Sequence, residues 1–158
     1  MTDRSILHAS FTVERTYPFP PATVFRAWAD EGQKAAWFYG PPDFGQEGKS
    51  FDFRVGGSET VATVPPGEKA HRFTCRYYDI VDDERIVYAY NMEHGDERAS
   101  LSVATIELEA VDGGTKVTVT EQGVFLDDIY DADDRQHGTI GLLGQLGEHL
   151  ASQAAQPA

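Results

Sequence analysis

Cysteine is nearly absent from this chain of 158 residues: Cys75 stands alone. No internal disulfide and no cysteine-rich metal site can therefore form, and a lone thiol fits a reducing cytoplasm, which is the expected location. Basic residues are also scarce, 13 against 26 acidic ones, for a formal net charge of −13. That balance argues against a nucleic-acid partner, because phosphate binding needs clustered Lys and Arg. It equally disfavours an anionic membrane surface, and its simplest consequence is solubility. No run approaches the ~20 apolar residues that span a bilayer, and Met1 to Ser10 lacks the basic start and apolar stretch of a leader. No membrane insertion is expected. Ser- or Gly-rich linkers and internal repeats are missing as well. One domain over residues 1–158 is expected, with its core at about 10–150 and a tail at 153–158. An apolar share of 41% supplies a core for it.

What is present reads mostly as short strands and turns. Phe11 and Val13 alternate with Thr12 and Glu14, giving a first strand that ends near Tyr17. Pro18, Pro20 and Pro21 stop it, and Pro21 is suited to open a helix carrying Val24, Phe25 and Trp28. Asp30 followed by Gln33 approximates a capping box, so a second short helix should carry Ala36 and Trp37 up to Gly40-Pro41-Pro42. Phe51, Phe53 and Val55 then alternate with Asp52 and Arg54 toward Gly56-Gly57, a hairpin signal in which both glycines can take positive φ. Val61 and Val64 continue the return strand. His71–Val81 follows, with Phe73, Cys75 and Tyr77 on one face; then Ile86–Met92, with Ile86, Tyr88, Tyr90 and Met92 together. Leu101–Ala110, the Asp112-Gly113-Gly114 turn and Thr115–Gln122 complete a run of hairpins.

Asp133–Ser152 is the one stretch that predicts a long helix, with Ile140, Leu143, Leu146 and Leu150 near one face. Gly138, Gly141, Gly144 and Gly147 interrupt it. Each helical Gly costs roughly 1 kcal/mol against Ala, so either ligand space or close backbone packing is expected where they fall. Asp127, Asp128, Asp131, Asp133 and Asp134 precede the helix and complement its N-terminal dipole. They lack the Gly bend and closing Glu of a calcium loop.

This order of strand, two short helices, long meander and closing helix resembles the helix-grip fold of the START-like (SRPBCC) superfamily. More narrowly, the chain resembles the family named after the activator of Hsp90 ATPase. The matching residues are Glu14-Arg15, Pro21, Val24-Phe25, Ala27-Trp28, Trp37-Phe38 and Gly40-Pro41, with Phe51-Asp52-Phe53-Arg54-Val55-Gly56-Gly57 matching the family's D-x-R-x-G-G hairpin. Tyr77, Ile80, Glu84-Arg85-Ile86-Val87-Tyr88 and Gly113-Gly114-Thr115-Lys116-Val117 continue the match, which covers about Ser10 to Leu150. Many relatives place Gly-Trp near the start of the last helix, where this chain has His137-Gly138-Thr139-Ile140. The resemblance implies an α+β fold: a curved, mostly antiparallel sheet of six or seven strands wrapped on the C-terminal helix, with a ligand cavity between them. Relatives include lipid carriers, hormone receptors and polyketide cyclases, so fold alone does not select an activity.

Trp37, Phe73, Tyr77, Tyr88, Tyr90 and Met92 are the candidates to line that cavity from the sheet side, and Leu143 and Gly144 from the helix. The alternative is that these side chains simply fill the core. Asp52 and Arg54 stand two residues apart, so Arg54 either holds a ligand carboxylate at the pocket edge or makes an ordinary ion pair. His71 and His94 lack the spacing of a metal site, and no metal or cofactor is expected. His137 and His149 are twelve residues apart on the last helix and should serve different faces. No G-x-S-x-G elbow occurs, and Cys75 lies inside a strand, so no nucleophilic triad and no catalytic residue is assigned. The leading expectation is binding of a small apolar or aromatic molecule. Acid–base chemistry through Tyr88, Tyr90 or His94, as in a polyketide cyclase or aromatase, is the enzymatic alternative. A chaperone cofactor ranks third, because activators of that kind carry a separate N-terminal domain. A homodimer through an exposed strand edge also stays open.

Overall fold

The computed structural model describes residues 4–155. Ten elements follow in order: β1 (Ile6–Tyr17), α1 (Pro21–Ala29), α2 (Glu31–Trp37), β2 (Gly45–Phe51), β3 (Ser58–Val64), β4 (His71–Val81), β5 (Arg85–His94), β6 (Glu97–Val111), β7 (Gly114–Leu126) and α3 (Ala132–Ala155). The strands form one antiparallel sheet in the order β1-β7-β6-β5-β4-β3-β2. This is the α+β helix-grip architecture. The expected first strand begins earlier, at Ile6. The expected tail is helical as far as Ala155, and its residues 156–158 lie outside the described ones, as do residues 1–3 of the expected leader-free start. Among the described residues no helix is long and apolar enough to cross a membrane.

Local chemistry accounts for the short helices. Pro20 and Pro21 set the entry to α1, where the N–H groups of Thr23 and Val24 bond the Pro20 carbonyl. Asp30 closes α1 through its own N–H and opens α2 by accepting from the Gln33 N–H at 2.9 Å. Because one residue serves both ends, the two helices turn sharply and present Val24, Phe25, Trp28 and Trp37 to the core.

One expected strand is displaced toward the N-terminus. β2 ends at Phe51, and residues 52–57 are a hydrogen-bonded connection rather than a ladder. Phe53 nonetheless turns inward, its ring 4.9 Å from Tyr77 and 5.8 Å from Phe25. The alternation of Phe51 and Phe53 therefore reports burial of one face, which a bent connection satisfies as well as a strand. Of the two glycines only Gly56 has positive φ, 84°. Gly57 is required for another reason: a Cβ there would collide with the Asp52 carbonyl.

The closing helix lies across the inner face. Asp131 caps it, its Oδ1 accepting from Asp133 N–H at 2.7 Å and Asp134 N–H at 3.3 Å. Thr139, Leu143, Leu146 and Leu150 are its buried face, whereas Ile140, expected there, is 47% exposed. Tyr17 fastens β1 to the middle of α3 by donating to the Leu143 carbonyl at 2.7 Å. The four glycines divide into two groups. A Cβ at Gly144 would stand 3.2 Å from Arg15 Nη1, and one at Gly147 3.2 Å from the Tyr17 ring, so both permit close approach to β1. Gly138 and Gly141 face open space. Gly141→Ala should therefore stabilise the domain by roughly 0.5–1 kcal/mol in urea unfolding, whereas Gly147→Ala should give no gain because its Cβ meets Tyr17.

Candidate functional site

Between sheet and helix lies a cavity of about 520 Å³, within the range of about 300–1,000 Å³ of small-molecule sites. Register creates its floor. Phe73 of β4 pairs with Met92 of β5, and Cys75 with Tyr90, so Phe73, Tyr88, Tyr90 and Met92 share the inner face. Ile106 of β6 and Val119 and Glu121 of β7 extend that floor. Trp28, Phe38 and Tyr39 form one wall; Arg135, Gly138, Thr139, Leu142 and Leu143 of α3 cover it. Partly exposed His71, Ile129 and Tyr130, with exposed Asp131 and Asp134, rim its open end. A larger, more open depression of about 820 Å³ lies on the opposite sheet face among Thr74, Arg76, Tyr78, Ala89 and Val103. It gathers no comparable set of buried polar groups, so the inner cavity is the better candidate.

Of the residues expected to line the cavity, Phe73, Tyr88, Tyr90, Met92 and Leu143 do so. The other four are placed elsewhere. Trp37 is buried behind the wall, its Nε1–H bonded to the Ala27 carbonyl at 3.0 Å and its ring 4.7 Å from Trp28. Arg54 is 67% exposed on the 52–57 connection and pairs with Asp52 at 2.9 Å, the ordinary surface ion pair. Tyr77 belongs to a separate buried network, and Gly144 faces Arg15 on β1.

That network holds α2 against the sheet. Lys34 and Glu59, with side chains 1% and 0% exposed, pair at 2.6 Å. Tyr77 donates to the same Glu59 oxygen at 2.6 Å and accepts from Lys34 at 3.3 Å, while Tyr39 donates to the other oxygen at 2.7 Å. The Lys34 ammonium stands 4.2 Å from the Phe38 ring centroid. Burial, then the Glu59 charge, holds the Tyr77 and Tyr39 hydroxyls far above their ordinary pKa, so neither gives up its proton.

A second polar group sits inside the cavity. Tyr90 donates to Glu121 Oε1 in a short bond and accepts from Arg135 Nη1 at 2.9 Å. The Thr139 hydroxyl is shared between the Arg135 carbonyl at 3.1 Å and Glu121 Oε2 at 3.4 Å. Burial raises the Glu121 pKa, against the opposing pull of the Tyr90 bond, Arg135 and Thr139. At the open end His71 Nδ1 meets the Tyr130 hydroxyl at 2.5 Å, and the His71 ring stacks on His94 at 4.7 Å. Burial and His94 together lower the His71 pKa. Among the described residues no group of three His, Cys, Asp or Glu is placed to hold a metal ion.

Sequence reading missed Glu121, Arg135 and the Lys34–Glu59 pair. The signals were present for the acids: Glu121 continues the inward alternation of Val117 and Val119, and Glu59 precedes Val61 on the inner face of β3. Arg135 is the lone base at the end of an acidic run, which reads as a solvated helix start.

Residues 18–151 match the family model described as activator of Hsp90 ATPase homolog 1-like protein. A crystallised protein of Rhizobium loti is 41% identical, covers 92% of this chain and 99% of its own, and superposes with a TM-score of 0.85. An uncharacterised protein of Rhizobium leguminosarum is 39% identical over 96% of this chain and 99% of its own, also at 0.85. A Chromobacterium violaceum protein is 25% identical over 89% and 96%, at 0.78. None of the curated proteins matches the chain.

The buried polar groups set two expectations. Lys34→Met leaves the buried Glu59 without its counter-ion, and should cost about 3–5 kcal/mol in chemical unfolding; pairing it with Glu59→Leu should recover only part of that loss, because the Tyr39 and Tyr77 hydroxyls then lose their acceptor. For Glu121, a folded-state pKa above the ordinary 4.5 means that the native state holds the proton more tightly. Its contribution to stability is full below that value and is lost as pH rises through the folded pKa. Glu121→Gln should therefore flatten the fall in stability above pH 4.5 that the parent shows.

Proposed function

Because this chain belongs to the activator of Hsp90 ATPase homolog 1-like family of the START-like superfamily, we propose that it holds a small apolar or aromatic molecule between sheet and α3. The observation that carries this reading is the cavity of about 520 Å³ itself. A dry core filled by side chains packs to about 0.74–0.76 of its volume and leaves no such space. Aromatic faces from Phe38, Phe73 and Tyr88 offer stacking surface, and Tyr90, Glu121, Thr139 and Arg135 supply the few polar groups that orient a bound molecule. Gly138 adds no side chain to the cavity's cover, and a Cβ built there would meet nothing within 4 Å.

A second reading draws on one specific feature. Tyr90, Glu121 and Arg135 meet at the Tyr90 hydroxyl, the convergence that acid–base chemistry on a bound polyketide would need. Burial holds the Tyr90 hydroxyl well above its ordinary pKa and raises that of Glu121 from the carboxylate range, so Glu121 is the more readily exchanged proton of the two. Product analysis of a bound polyketide chain incubated with the parent and with Glu121→Gln separates carrier from cyclase: conversion dependent on Glu121 favours the enzyme.

Native mass spectrometry and thermal shift with fatty acids, flavonoids and aromatic polyketides test the binding reading, and at least one class should raise Tm. Gly138→Leu, which extends into the cavity cover without meeting another atom at its Cβ, should abolish that shift while the unliganded Tm holds. Gly144→Leu, outside the cavity, should strain the Arg15 contact and leave ligand shifts of the folded fraction intact. No stabilisation by any class would overturn the proposal.

A further inference from the structure

The cavity carries a cation that, among the described residues, no carboxylate contacts directly. Arg135 stands in the first turns of α3 and lines the cavity. Its Nη1 donates to the Tyr90 hydroxyl at 2.9 Å and to Ser102 Oγ at 3.5 Å; its Nη2 donates to Ser100 Oγ at 2.8 Å. Every acceptor is a hydroxyl, and among the described residues Arg135 pairs with no carboxylate. The Nε–H and one N–H of Nη2 have no protein acceptor there. Water is partly displaced from this cation by rings: its central carbon is 5.0 Å from the Phe125 centroid and 5.4 Å from that of Tyr90.

Among the neighbouring carboxylates, Glu121 Oε1 accepts from Tyr90 while Oε2 shares the Thr139 hydroxyl with the Arg135 carbonyl; Asp131 Oδ1 caps α3, and Asp134 is exposed. Lys34, which is fully buried, is committed to Glu59. Elsewhere in the wall, Trp28 Nε1–H is buried without an acceptor among the described residues. Arg135 thus keeps unpaired N–H donors beside the aromatic floor of the cavity.

We propose that this cavity is selective for aromatic or alkyl carboxylates, with the ligand carboxylate held by Arg135 and its apolar body over Phe73, Tyr88 and Met92. Such selectivity rests on the reading of the cavity as a ligand site. A guanidinium presents paired N–H groups whose fork matches a carboxylate, and a charge-assisted bond is about twice as strong as a neutral one. A neutral ligand would leave the partly desolvated charge uncompensated. A phosphate monoester, carrying nearly two charges, would find a single cation and the carboxyl of Glu121 beside it. Burial raises the Glu121 pKa, which lessens the repulsion an incoming carboxylate meets; His71, at the open end, is shifted toward its neutral form.

Calorimetric titration with 2-naphthoate and with 2-naphthamide, matched in shape and different in charge, tests this at constant ionic strength. The parent should bind naphthoate at least about tenfold more tightly than the amide. Arg135→Met should remove that preference, weakening naphthoate about tenfold while the amide changes less than about threefold. Arg135→Lys, which keeps the charge and loses the fork, should retain part of the preference; it and the parent comparison serve if the Met variant fails to fold. Equal binding of both probes by the parent, or an acid preference that survives Arg135→Met, overturns the proposal and leaves the general ligand reading standing. Binding of neither probe overturns the carboxylate proposal, and the general ligand reading then stands or falls on the thermal-shift series.

Discussion

The buried ion pair of Lys34 and Glu59 is the constraint around which the inner face is arranged. Neither charge can reach water, so each must be satisfied in place, and the pair brings Tyr39 and Tyr77 with it. The consequence is positional. Lys34 lies on α2, Glu59 on β3 and Tyr77 on β4, so a short helix without much apolar surface of its own is held at a defined height above the sheet. Phe38 and Tyr39, just beyond α2, then become the cavity wall, and Trp37 packs behind them against Trp28. Hydrophobic contacts alone would allow this layer to settle inward and fill the chamber.

The two buried polar groups differ in how far they are satisfied. Around Glu59 every oxygen is occupied and the charges balance. Around Arg135 the acceptors are neutral and donors remain. A closed network serves architecture; an open one in a cavity leaves chemistry for something else to complete. The contrast is more informative than the cavity's volume, since both groups lie on the same face of one sheet.

Much of the fold was legible because hairpin turns and inward alternation are local signals. β4 through β7, the proline entry to α1 and the Asp30 cap all arise from residues near in sequence. Where local pattern and tertiary need diverge, legibility ended. Phe53 is inward without being in a strand, and Ile140 sits among leucines yet faces out, because Thr139 takes the inner position beside Glu121. The site was half legible for the same reason. Aromatic alternation marked Phe73, Tyr88 and Tyr90, but Arg54 was drawn in by its place in a family hairpin, and the polar members Glu121 and Arg135 are joined across β5, β7 and α3 by a contact no local pattern records.

The pairing of β1 with β7 sets the order in which the molecule can assemble. Ile6 lies opposite Leu126 and Tyr17 opposite Thr115, so the first strand made during synthesis has no ladder partner until nearly the whole chain exists. The meander from β2 to β7 can form by successive neighbours, while β1 waits and then closes the longest loop in the molecule. Tyr17 makes the wait consequential, for its bond to the Leu143 carbonyl ties that strand to α3. Docking of the cavity's cover and addition of the edge strand therefore belong to one late step of folding, and the ligand chamber is among the last parts of the protein to come into being.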